Sequence, residues 1–322
     1  MRAYIIRRLL LTIPTMLIVT ILVFLTVRLI PGDVIDLMLQ GHASKMASGT
    51  EYELTAADLR HEMGLDEPIH IQYVRWMGRV LQGDLGRSLW TNIPVTDEIR
   101  RRLPVSAELG ILGIVIALII ALPVGVYSAI RQDTGGDYLA RSFAIACIAL
   151  PSFWLGTMVM VFPSVWWQWS PAMQYVSFIE NPLANLGQFM IPALILGMAL
   201  SGTTMRMTRT MMLEVLRQDY IRTAWSKGLT ERVVIMKHAL KNALIPVTTI
   251  VGMNLPVVIG GAVVLEQIFN LPGVGRLALD VINDRDYTVL SGINLFMATF
   301  VLGINLVVDI TYAFLDPRVH YK

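Results

Sequence analysis

Long apolar runs dominate this chain, and they are long enough to make bilayer-spanning helices. The hydrocarbon core of a membrane needs about 20 apolar residues at a rise of about 1.5 Å each. Six runs reach that length: Leu9–Ile30, Val105–Ile130, Leu139–Phe162, Leu186–Met205, Leu244–Leu265 and Val289–Phe314. Of the 322 residues, 55% are hydrophobic and 16% charged, against about 45–50% and about 25% in a soluble domain. The predicted fold is an all-α integral membrane protein of six transmembrane helices. Pro14, Pro123, Pro151, Pro192, Pro246 and Pro256 punctuate the runs. Each removes a backbone donor and favours a kink. The carbonyl it frees must find a partner inside the protein, so the spans are expected to pack into one multi-helix body.

Arg7 and Arg8 before the first run resemble the start of a signal peptide. A signal h-region is only about 7–15 residues long and ends at a small-residue cleavage site. Leu9–Ile30 is longer and runs into Pro31-Gly32-Asp33, so a retained helix is expected. Lysine and arginine then set the orientation. Arg2, Arg7, Arg8, Arg131, Arg141, eight basic residues from Arg206 to Lys241, Arg318 and Lys322 fall on one side. The opposite loop Pro163–Asn185 has neither lysine nor arginine. Both termini are therefore expected in the cytoplasm. The organisation reads as residues 1–30 with the first span, an extracytoplasmic insert over 31–104, a transmembrane core over 105–315 with a cytoplasmic loop at 206–243, and a tail at 316–322. Within the insert, Thr55 is read as the N-cap of a short helix. Ile71, Val74, Met77 and Leu81 are read as the apolar face of another.

Several chemistries are missing. No phosphate-cradling G-x-x-x-x-G-K-[ST] loop, no H-E-x-x-H and no G-x-S-x-G elbow occurs. His61-Glu62 lacks a second histidine and reads as a solvated helix face. Gly135-Gly136-Asp137 resembles part of an intramembrane aspartyl protease, but no second mid-span aspartate accompanies it. The lone Cys147 makes neither an internal disulfide nor a cysteine-cluster metal site. The net charge of +2 gives no reason to expect nucleic acid. A proton-coupled carrier needs mid-membrane carboxylates or histidines. Here Glu108 and Asp309 sit near span ends, and the spans otherwise carry Asn254, Asn294, Asn305 and glycines. Helix packing uses such residues, and a polar translocation path would use the same ones.

The segment between the fourth and fifth runs says most about function. Two amphipathic stretches meet at Gly228, one with Leu213, Leu216, Tyr220 and Ala224 on a face, the other with Val233, Met236, Leu240 and Ala243. Glycine enters the left-handed turn region without steric cost. A passive connector seldom exceeds about 12–15 residues.

This loop resembles the EAA loop of type I ABC importer permeases, in the form Arg222-Thr223-Ala224 followed by Lys227-Gly228-Leu229 of the peptide/nickel branch. Lys241 stands where the broad motif has proline. The resemblance extends through Arg7-Arg8, Ile30-Pro31-Gly32-Asp33, Gly83-Asp84-Leu85-Gly86-Arg87-Ser88, Arg102-Leu103-Pro104, Leu150-Pro151-Ser152-Phe153-Trp154-Leu155-Gly156, Phe269-Asn270-Leu271-Pro272-Gly273-Val274-Gly275-Arg276-Leu277 and Leu315-Asp316-Pro317-Arg318. Val34 and Thr288 depart from common prolines.

The resemblance implies a permease subunit of an ATP-driven importer of short peptides or related solutes such as nickel chelates, glutathione or glycosides. It would sit in a bacterial or archaeal plasma membrane. It would have no catalytic residues, no metal site and no cofactor in this chain. Partner ATPase subunits would bind ATP and Mg. The expected partners are a second related permease, two ATP-binding subunits or domains, an extracytoplasmic solute-binding protein and the lipid bilayer. Asp219, Tyr220, Arg222, Ala224, Lys227, Gly228, Leu229, Glu231 and Arg232 are expected to couple to the ATPase. Tyr220, Ala224 and Leu229 are read as an outward apolar edge. Asn254, Glu266 and Asn294 are the candidates for the translocation path or outer gate. An ion-gradient-driven carrier is the alternative.

Overall fold

The computed structural model describes residues 2–29, 66–171, 174–257 and 263–315. Every regular element among them is helical, and a β-bridge between Arg87 and Pro94 closes one loop. The helices are α1 (Arg2–Leu29), α2 (Ile69–Leu81), α3 (Val95–Ile130), α4 (Gly135–Ala149), α5 (Ser152–Trp167), α6 (Pro182–Leu216), α7 (Asp219–Ser226), α8 (Glu231–Asn254), α9 (Val263–Ile268), α10 (Val274–Asn283) and α11 (Tyr287–Leu315). Among the described residues five helices are long and apolar enough to cross a bilayer, and six when the bent pair α4–α5 counts as one span.

That bent pair lies over the expected third run, Leu139–Phe162, and divides it into two helices. The two helices meet at 88°. Leu150 is extended (φ −82°, ψ 117°) and Pro151 caps α5 from an extended conformation as well. Proline has no N–H to continue the ladder, and its ring pushes the preceding residue out of the α region. Pro14, Pro123, Pro192 and Pro246 stay inside their helices.

Other boundaries also move. Helix α3 begins at Val95 rather than Val105, taking Arg100–Arg102 and Pro104 into the helix. Helix α6 starts at an Asn181 cap, whose side chain accepts from the Ala184 N–H with Pro182 in the first turn, and continues to Leu216. The run Leu244–Leu265 divides between α8, which ends at Asn254, and α9, which starts at Val263. The helix expected at Thr55 lies outside the described residues. Helix α2 forms where expected, but Ile71, Val74 and Leu81 are exposed. The opposite side packs instead. Tyr73 meets Phe24 edge-on and Trp76 packs on it at a tilt, at centroid distances of 5.5 and 5.7 Å, and the Tyr73 hydroxyl lies 2.9 Å from Thr20 Oγ1. Two large rings on one aromatic bury more area than scattered aliphatics.

The chain divides into two compact units. One comprises Ile6–Arg102 and Leu277–Leu302. In it Asp286 caps α11, accepting from Ser88 Oγ at 2.6 Å and from the N–H groups of Leu89 and Val289. The Trp90 indole donates to the Asp284 carbonyl at 2.9 Å.

The other unit holds Leu103–Arg276 and the chain from Gly303. One core of this unit joins Val105 and Leu109 of α3, Phe189, Ala193 and Leu196 of α6, and Leu265, Phe269 and Leu271. A second core joins Ala129, Met212, Ile221, Ala224, Val234, Ile235, Ala239 and Ala243. Helices α4 and α6 approach closely. A Cβ on Gly202 would lie 2.7 Å from the Ala144 carbonyl. Small residues permit such contact where apolar area alone gives no preference over lipid.

Candidate functional site

Helix α7 is eight residues long and stands as a separate element, because α6 ends at Leu216 and the chain turns through Arg217-Gln218. This corrects the reading of Leu213, Leu216, Tyr220 and Ala224 as one continuous face. Ile221 and Ala224 are buried, one turn apart, in the core made with Met212, Val234 and Ile235. Ala224 therefore faces inward, which corrects its place in the expected outward edge. Tyr220, Trp225 and Leu229 remain exposed. The Tyr220 hydroxyl accepts from Asn242 Nδ2 at 2.9 Å, tying α7 to α8. Asp219 and Arg222 are exposed and form a 3.7 Å pair. Lys227, Glu231 and Arg232 are exposed as well. Trp225 was not singled out from the sequence. Its signal was its position one residue after Ala224, on the side turned away from the core.

Gly228 terminates α7. Its φ is +77°, its N–H donates to the Trp225 carbonyl at 2.9 Å, and the Leu229 N–H reaches the Ala224 carbonyl at 3.4 Å. These are the two bonds of a Schellman motif, whose left-handed position favours glycine. Nothing lies within 4 Å of where a Cβ would sit, so backbone conformation alone selects glycine there.

Helix α8 begins with Glu231–Val233 and passes through a π-helical stretch, Val234–Ala239. The wider turn shifts the buried face to Val234, Ile235, Ala239 and Ala243. Val233 and Met236, read as sharing a face with Leu240 and Ala243, are exposed, whereas Ala243 is buried. Helices α6, α7 and α8 thus form one packed base from which a charged and aromatic surface projects.

At the far end of α9, Glu266 is fully buried. Its carboxylate accepts from Ser106 Oγ at 2.7 Å and from the Arg276 N–H at 2.9 Å, and Ser106 Oγ in turn accepts from the Val274 N–H at 2.8 Å. A Cβ on Gly273 would lie 2.3 Å from that carboxyl group. The turn 269–276 is therefore wrapped around a single carboxylate. The Arg276 guanidinium also donates to the Asn270 side chain. Asn254 ends α8 and is half-buried. Asn294 is half-buried on α11 in the other unit.

Sequence reasoning passed over a second buried carboxylate. Asp137, which has no second mid-span aspartate to pair with, is fully buried. It receives Arg209 Nε at 2.9 Å and Nη2 at 2.8 Å, the Ser128 hydroxyl, and the Asp133 N–H at 3.0 Å. The only hint was that one of the loop arginines lay close to a span end. Among the described residues no group of three or more His, Cys, Asp or Glu side chains is arranged to hold a metal ion.

Comparison with known proteins supplies the wider frame. Residues 121–321 match the family described as "Binding-protein-dependent transport system inner membrane component", and residues 1–110 match "Binding-prot-dependent transport system membrane comp, N-term". A Brucella suis biovar 1 protein named "Putative peptide transport system permease protein" is 42% identical over 321 residues, covering all of both chains. The dipeptide transport system permease protein DppB of Escherichia coli K12 is 37% identical over 345 residues, again covering both chains completely. The glutathione transport system permease protein GsiC of Salmonella paratyphi A is 38% identical, covering 99% of each. A solved structure of an amino acid ABC transporter with histidines shares the fold at a TM-score of 0.50 and 13% identity, over 70% of this chain and 95% of that one. The all-helical membrane body and these full-length matches place the chain in one family: it belongs to the inner membrane components, or permeases, of binding-protein-dependent transport systems.

Proposed function

We propose that this permease forms half of a translocation path for short peptides or glutathione-like solutes, and that α7 docks in a groove on a separate ATPase subunit. Relatives named for dipeptide and glutathione transport support the cargo class. One observation carries the docking role. Helix α7 is fixed from behind by Ile221 and Ala224, while Asp219, Tyr220, Arg222, Trp225, Lys227 and Leu229 face outward. An aromatic and aliphatic centre with a charged rim is the composition of a specific protein contact. A short helix held rigidly on its base transmits a push, which a floppy loop does not.

In this reading both termini and the 206–243 loop are cytoplasmic, and residues 31–104 with the 269–276 turn lie outside. A second related permease completes the path. Two ATP-binding subunits or domains hold ATP and Mg, and an extracytoplasmic binding protein delivers cargo. Closure of the ATPases displaces α7 and alternates access to the path. Asn254 and Asn294 supply polar groups along that path, and Glu266 anchors the outer turn.

The test is Gly228→Val in the assembled complex, measuring uptake, co-purification of the ATPase and ATP hydrolysis together. Valine at φ +77° costs roughly 1–2 kcal/mol or more. Membrane insertion is expected to persist and transport to be lost, either through loss of the ATPase or through hydrolysis uncoupled from uptake. Normal uptake with normal coupling refutes the docking role. Topology is tested separately. In a Cys147→Ser background, Ser170→Cys should label from outside, and Thr230→Cys only after permeabilisation.

A further inference from the structure

The ion pair between buried Asp137 and half-buried Arg209 lies beside the α7 base, away from the residues that α7 exposes. Asp137 opens α4, with the Thr134 side chain capping that helix by accepting from its N–H. Ser128, which donates to it, lies in the last turn of α3. Arg209 lies on α6, one turn before Met212, which is fully buried against Ile221 of α7. Next to Arg209, Thr208 packs on α3, where a Cβ on Gly125 would come within 2.8 Å of its Cβ. Met212, packed against α7, and Arg209, bound to Asp137 of α4, therefore stand one turn apart on the same helix α6.

The contacts along that line differ in kind. Helix α4 otherwise meets α6 through Ala144 and Cys147 against Met205 and Gly202. Those apolar contacts, close as they are at Gly202, are less directional than a hydrogen-bonded ion pair. A bidentate guanidinium–carboxylate pair fixes both distance and plane. Asp137 is fully buried and Arg209 half-buried, so separating them strands the carboxylate out of water. Arg141, on the same helix as Asp137, does not substitute for Arg209. Its Nε stays 3.6 Å from Asp137 Oδ1, and its guanidinium lies 4.4 Å over the Tyr138 ring. The helix that Asp137 opens leads into the 88° break and α5.

We propose that Asp137 and Arg209 are a positioning pair for coupling, locking α4 to α6 so that a displacement of α7 carries the α4–α5 elbow with it. This rests on the reading of α7 as the ATPase-docking helix. The pair touches neither nucleotide nor cargo and acts through helix register.

The experiment uses the reconstituted complex in a Cys147→Ser background. Spin labels are placed at two exposed positions, Leu139 on α4 and Ser226 on α7. The distance between them is measured nucleotide-free and after trapping with ATP and vanadate. With the native pair, the two labels keep the same separation in both states, because α4 follows α7. In Asp137→Asn the separation shifts on trapping. Arg209→Lys, which keeps the charge but loses the bidentate fork, gives a smaller shift. A trapping-dependent shift with the native pair overturns the proposal, and so does a constant separation in both variants. If neither variant assembles, the pair is a folding element only, and the proposal is overturned as well. Ser226→Cys cross-linking to the ATPase subunit is scored in parallel. Absence of that cross-link defeats the docking reading, whereas a cross-link together with a constant label separation in both variants defeats the positioning pair alone.

Discussion

Two turns in the same structural unit each depend on glycine, for opposite reasons. At Gly228 the backbone is left-handed, at φ +77°, and the space around it is empty. Gly273 has no such conformation, but a side chain there would strike the Glu266 carboxyl at 2.3 Å. The first requirement is intrinsic to one residue and the chain ending at it. The second exists only because a carboxylate from α9 is buried inside the turn, held by Ser106 and the Arg276 N–H. A sequence motif displays both as a bare G, and only the surroundings separate them. The two turns therefore tolerate different substitutions: the first accepts residues at ease in the left-handed region, and the second accepts nothing with bulk.

The largest effect is expected at the crowded turn. Gly273→Ala forces either the buried carboxyl off its donors or the turn away from α9, and overpacking of this kind costs about 1–3 kcal/mol. Thermal unfolding of the purified permease should show the loss. Combined with Glu266→Ala, the cost should be less than additive, since removing the carboxylate removes the clash. Strict additivity would break the crowding account. A smaller effect is expected at the open turn. Gly228→Ala should cost about 1 kcal/mol, and Gly228→Asn less, because asparagine visits the left-handed region more readily. If asparagine proves worse than alanine, some neighbour fills that space and the contrast between the turns fails. The smallest effect concerns Arg285, an exposed non-glycine residue at φ 55°. It ends α10 in the same motif, with the Arg285 N–H donating to Ile282 and the Asp286 N–H to Val281. Arg285→Gly should raise stability by about 0.5 kcal/mol, as relief of left-handed strain outweighs the added freedom of an unfolded glycine. No gain in a thermal melt would show that arginine sits there without strain.

The legible parts of the candidate site share one property. The Asp219–Arg232 segment declares itself through a glycine at a helix end and apolar residues at helical spacing, both local signals. The π-helical stretch Val234–Ala239 does not declare itself. An added residue in one turn rotates everything before it relative to everything after, so Val233 and Met236 fall off the face of Ala243 while Val234 and Ile235 join it in the core. The same limit applies to α2, where Ile71, Val74 and Leu81 form a regular apolar stripe that stays exposed. There Phe24 decides the packing by receiving Tyr73 and Trp76. Asp137 and Arg209 are 72 residues apart in the chain, and a lone aspartate after two glycines carries no mark of burial.

From its sequence alone the chain was bound to be a helical membrane protein with a basic, glycine-hinged loop, because run length, charge asymmetry and turn residues act over a few neighbouring positions. Tertiary structure decided which faces are buried and where a span breaks sharply instead of bending. It also decided which carboxylates are enclosed. A proline makes a break possible, yet Pro123 and Pro192 lie within helices while Pro151 divides α4 from α5. A buried charge becomes structural only when a partner from a distant helix reaches it, as half-buried Arg209 reaches Asp137. Those outcomes depend on how helices pack against one another, and that packing balances many contacts between segments remote in sequence.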